Sequence, residues 1–73
     1  METPLDFIIR ITKELVTIPL PSKFGNDVAL VSNGDDVFVK SFVGKYGYSL
    51  TDIKSAKKDF INSVYEDLKK DFK

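Results

Sequence analysis

A small single-domain α+β fold is predicted by three features of the chain. The N-terminal segment is amphipathic and begins with helix-start residues; an Asn33-Gly34 turn lies between two apolar runs; and the stretch from Tyr48 to Lys73 has helical apolar spacing. The implied order is α-β-β-α, with a two- or three-stranded antiparallel sheet packed against a long C-terminal helix. A chain of 73 residues supports one core, so residues 1–73 are read as one compact domain.

Thr3-Pro4-Leu5-Asp6 reads as a helix start. Thr3 can cap, Pro4 suits the first helical position because it has no N–H to leave unpaired, and Asp6 favours the positive end of the dipole. The spacing predicts a helix from about Pro4 to Leu15, with Leu5, Ile8, Ile9, Thr12, Leu15 and Val16 on one face and Phe7 and Ile11 on a second apolar flank. The alternation of Phe7, Ile9 and Ile11 would also suit a strand. Two prolines confine Val16 to Pro21 to an edge strand or an extended linker, because proline cannot donate to a ladder. Ser22 to Asp27 reads as loop.

Asp27 to Ser32 and Asp35 to Val43 are apolar runs joined by Asn33-Gly34, a pattern that predicts a two-residue type I′ hairpin. In that register Ser32 faces Asp35, Leu30 faces Val37 and Val28 faces Val39, giving one aliphatic face. Gly44 to Tyr48 then reads as a connecting loop, with Ser49 or Thr51 capping the final helix. That helix carries Leu50, Ile53, Phe60, Ile61, Val64, Tyr65, Leu68 and Phe72 on one stripe, and about 22 residues would make it about 33 Å long. It would overhang a hairpin of about 23 Å. The surplus stripe would then pack on the first helix, on a second copy or on a partner.

Composition narrows the function classes. The chain has no cysteine and no histidine, so disulfides, thiolate metal sites and imidazole catalysis are excluded. Lys plus Arg equals Asp plus Glu at 11 each, and Arg10 is the sole arginine, which removes most of the guanidinium chemistry used to read phosphates and guanines. The N-terminus lacks the pattern of a secretory signal, and Phe7-Ile8-Ile9 is far too short to span a membrane. A cytoplasmic, membrane-free protein without cofactor is the expectation.

Three groups of residues stand out. The hairpin's second face would carry Val31, Phe38 and Phe42 beside Ala29, Asp36 and Lys40, with Asp35 at the turn. If the helices lie on one side of the sheet, both phenylalanines face water and form a binding patch; if the helices sandwich the sheet, they are core. Lys57 falls within the apolar arc of the final helix, where it either snorkels or meets an acidic partner group. Lys45, Lys54, Lys57 and Lys58 gather about the start of that helix with Tyr46 and Tyr48, a combination suited to phosphates and stacked bases, or simply a solvated face. The paired carboxylates Asp35-Asp36 and Asp67-Asp71 read as solvated acids, since neither has the spacing of a cation cage.

The sequence-level expectation is a small non-enzymatic protein-protein interaction module that binds a larger protein, as regulatory proteins and virus-encoded inhibitors do, through Val31, Phe38, Phe42, Lys40, Asp35 and Asp36. The alternatives are a weak nucleic-acid binder using Lys45, Tyr46, Tyr48, Lys54, Lys57 and Lys58, and a homodimer whose last helices pair. Nothing in the chain resembles a catalytic, metal or phosphate-cradling motif.

Overall fold

The computed structural model describes residues 1–72. Helix α1 (Pro4–Leu15) is followed by β1 (Thr17–Pro19), β2 (Ala29–Ser32), β3 (Val37–Phe42), β4 (Tyr48–Asp52) and helix α2 (Lys58–Asp71), with short 3-10 turns at Ser22–Phe24, Gly44–Tyr46 and Ile53–Ser55. The strands form one antiparallel sheet in the order β1-β2-β3-β4. The α+β class stands; the α-β-β-α order and the two- or three-stranded sheet are corrected to two helices flanking four strands.

Helix α1 begins as its sequence dictates. Thr3 Oγ1 accepts the Asp6 N–H at 3.1 Å and Pro4 occupies the first turn. Ile8, Ile11 and Thr12 are buried, and the Thr12 hydroxyl donates to the Ile8 carbonyl at 2.7 Å, so its burial leaves no polar group unpaired. Leu15 and Val16 are exposed instead of continuing the apolar face. At Val16 the chain turns at once into β1, with φ 70 and ψ −44.

The proposed edge strand is present as β1. Ser32 N–H donates to the Val16 carbonyl and Leu20 N–H to the Val28 carbonyl, so residues 16 and 20 point their backbone groups at β2. By alternation Thr17 and Pro19 direct theirs away from the sheet, and Pro21, just past the strand, gives its carbonyl to Phe24 N–H in the next turn. Both prolines therefore sit where no ladder bond is required.

The β2-β3 connection differs from the predicted two-residue turn. Ser32 pairs with Val37 and Leu30 with Val39, leaving Asn33 to Asp36 as a four-residue loop. Asn33 Oδ1 accepts the N–H groups of Asp35 at 3.0 Å and Asp36 at 2.8 Å, and only Gly34 has positive φ, at 102. A type I′ turn needs positive φ at both central residues. The asparagine side chain thus replaces that turn with a wider one it braces itself. The register moves by two residues, which preserves the facing of every side chain.

The larger correction is β4. Residues 48–52, read as the start of a long helix, form a strand against β3, with Phe38 opposite Asp52, Lys40 opposite Leu50 and Phe42 opposite Tyr48. Gly44 (φ 74) and Gly47 (φ 83) take backbone conformations that let the chain reverse, and Val43 N–H donates to the Gly47 carbonyl at 2.7 Å. Tyr48-Ser49-Leu50-Thr51 alternates apolar and polar as a strand does. Capping shifts accordingly: Asp52 Oδ1 accepts the Lys54 N–H in the following 3-10 turn, and neither Ser49 nor Thr51 caps α2.

Helix α2 begins at Lys58 and has 14 residues, about 21 Å in length. It has no overhang. Val64 and Leu68 are buried, and Phe60, Ile61, Tyr65 and Phe72 pack around a core made of Ile8, Ile11, Ile18, Leu30, Val37 and Ile53. Edge-on aromatic pairs Phe7–Tyr65 and Phe24–Phe60 close its flanks, with centroids 5.4 and 5.6 Å apart. Both helices contribute to this one cluster, so they cover a single face of the sheet.

Candidate sheet-face interaction site

The face turned away from the helices follows from the strand register. Directly opposed residues share a face, so three rows run across the sheet: Thr17, Val31, Phe38 and Asp52; Pro19, Ala29, Lys40 and Leu50; and Phe42 with Tyr48. Val31 and Phe38 are half-buried by their neighbours, whereas Phe42, Tyr48 and Leu50 keep 43%, 47% and 61% of their surface accessible. Val31, Phe38, Lys40 and Phe42 are thus brought together, and Tyr48 and Leu50 join them from β4.

The patch is internally ordered. Phe42 and Tyr48 meet edge-on at 5.5 Å, and Lys40 Nζ lies 4.5 Å from the centre of the Tyr48 ring. The Tyr48 hydroxyl donates to Asp27 Oδ2 at 2.5 Å. That hydrogen bond, followed by the carboxylate's negative charge, holds the phenol pKa above its usual value. A ring pinned at both its face and its hydroxyl loses little further freedom on binding. Asp35 and Asp36 stand exposed on the β2-β3 loop, beyond the Val31/Phe38 row.

The lysine and tyrosine set is divided by β4. Lys45 and Tyr46 lie in the turn before it, with Lys45 Nζ 5.4 Å from the Tyr46 ring centre, and Lys54, Lys57 and Lys58 lie after it. The five-residue strand keeps the two groups roughly 13 Å apart or more. Lys57 also leaves its predicted place: it precedes α2 in extended backbone, is exposed, and is not part of an apolar helical arc. Lys54 and Lys58 do not form a like-charge pair within one helix, because α2 starts at Lys58.

Two hollows lie on the helix side. One, of about 400 Å³, runs between β1 and the end of α2 along Ile18, Leu20, Asp67, Leu68 and Phe72; the other, of about 260 Å³, is lined by Val39, Thr51, Ala56, Lys57 and Phe60. Asp67, in the first, is paired with Lys23 at 2.9 Å and is therefore not the solvated acid expected of it. Among the described residues no group of three or more His, Cys, Asp or Glu side chains could hold a metal ion. No helix of the described residues is long and apolar enough to cross a membrane.

Leu50 and the contribution of Tyr48 to the sheet face were missed at the sequence level. Their signal is the Gly44/Gly47 pair followed by alternating Tyr48-Ser49-Leu50-Thr51. No protein-family model, curated protein or solved structure matches the chain.

Proposed function

We propose that this chain is a non-enzymatic interaction module that docks the open face of its sheet on a larger protein, and so regulates or inhibits it. The observation carrying this reading is the placement of Phe42, Tyr48 and Leu50, exposed, on a sheet face that neither helix covers. Large apolar side chains concentrated on one face, with Lys40 among them and Asp35 and Asp36 at the margin, match the apolar centre and polar rim of protein interfaces. Phe42 and Tyr48 supply aromatic area of the kind that dominates binding energy. Val31 and Phe38 form the half-buried floor.

The test is affinity capture from host lysate with the wild-type chain and with Phe42→Asp, at low and high salt and after nuclease. A stoichiometric protein retained through salt and nuclease, and lost with Phe42→Asp, is the expected result. If capture depends on nucleic acid or disappears in high salt while Phe42→Asp has no effect, the reading fails and the lysines beside β4 become the site.

A further inference from the structure

We infer that two copies of this chain associate by antiparallel pairing of their β4 strands about a two-fold axis at Leu50, which joins the two sheets into one. The starting point is a contrast between the sheet's two edges. β1 spans three residues, and its outward backbone positions are Thr17 and Pro19, of which only Thr17 has an N–H to offer; Pro21 follows just beyond the strand. β4 spans five residues and contains no proline or lysine. Because Val43 N–H bonds to the Gly47 carbonyl and the register continues from there, residues 49 and 51 direct their backbone groups to β3, while Tyr48, Leu50 and Asp52 direct theirs outward. Natural edge strands are normally blunted by proline, lysine, a bulge or shortness. β1 has two of these devices, whereas β4 has only the charge of Asp52 at its end.

The second support is self-complementarity. A two-fold contact places the same surface on both sides, so each residue must suit its own mirror position. With the axis at Leu50, leucine faces leucine, Ser49 faces Thr51, and Tyr48 faces Asp52 twice. No carboxylate opposes another, and an apolar pair that is largely accessible in one copy lies at the centre. The formal net charge is +0, so two copies approach without overall repulsion. One strand pair buries less than the roughly 1,200–2,000 Å² of a standard stable interface. The expected state is accordingly a concentration-dependent monomer–dimer equilibrium. This inference does not rest on the proposed docking to a larger protein, because it concerns the purified chain alone.

Sedimentation velocity across a concentration series tests it. The wild type should move from 8.3 kDa toward twice that mass as concentration rises, and Leu50→Lys, which sets two cations on the axis, should stay monomeric while remaining folded by circular dichroism. The chain has no cysteine, which makes a second measurement clean. A directly opposed, hydrogen-bonded strand pair has Cα atoms about 5.5 Å apart, within disulfide reach. Leu50→Cys should therefore oxidise to a covalent dimer much faster than Thr17→Cys on the other edge. A wild type that stays monomeric throughout, a dimer that survives Leu50→Lys, or equal oxidation of the two cysteine variants would each overturn the inference.

Discussion

Val16 occupies a backbone conformation, φ 70 and ψ −44, that a β-branched side chain seldom adopts. Its N–H is held by the Thr12 carbonyl and its own carbonyl by Ser32 N–H, so the surrounding hydrogen bonds keep it there. Strain of this kind amounts to about 1–3 kcal/mol, against which glycine's added freedom in the unfolded chain costs about 0.5–1 kcal/mol. The side chain is 56% exposed, so little packing is at risk. Val16→Gly should stabilise the protein by about 1 kcal/mol, measured by denaturant unfolding. Tyr48 offers a second residue-scale test. Its folded pKa is raised, so the Asp27 hydrogen bond stabilises the fold below the unfolded phenol pKa and is lost as pH rises through the folded value. Ultraviolet titration should show one of the three tyrosines ionising late, and Asp27→Asn, which tolerates the positive φ at that position, should bring its midpoint down.

Among the elements, those specified by neighbours in sequence were legible and those specified across the fold were not. Thr3, Pro4 and Asp6 announce α1 because capping involves residues only a few positions apart. The hairpin's two faces were also readable: a register displaced by two keeps Val31, Phe38, Lys40 and Phe42 on one side. The turn type was not, because Asn33 supports either a type I′ turn through its backbone or a wider loop through its side chain. Asn33→Ala removes both side-chain bonds to the loop N–H groups and should cost about 1 kcal/mol, seen as a lower midpoint in urea with an unchanged slope. β4 was misread for a related reason. Leu50 and Ile53 fit a helical stripe as well as a strand followed by a turn, and Ser49 and Thr51 resemble caps. What decides between them is the otherwise unpaired edge of β3, which lies outside the segment itself.

For the molecule as a whole, the question left open by composition was whether the sheet is covered on one face or both. Eight buried residues, Ile8, Ile11, Ile18, Leu30, Val37, Ile53, Val64 and Leu68, form the cluster that takes up both helices, and this leaves none to cover the other face. Stability should divide along the same line. Leu30→Ala, at a fully buried position, is expected to cost about 2–5 kcal/mol, a large share of the roughly 5–15 kcal/mol of a typical domain. Calorimetry should then show a Tm lowered by many degrees, whereas Phe42→Asp on the open face, where the ring is 43% exposed, should lower it far less.

The proline in β1 and the one just beyond it have a consequence for the physical state of concentrated solutions. A flat unit with two receptive rims is bifunctional in the polymer chemist's sense, and each addition exposes a fresh site for the next. Pro19, placed where β1 would offer a donor to an incoming strand, and Pro21 just beyond it leave Thr17 as the one outward N–H of that rim. Were a second copy to join along β4, as inferred above, this rim would disfavour the next addition and growth would stop at a pair.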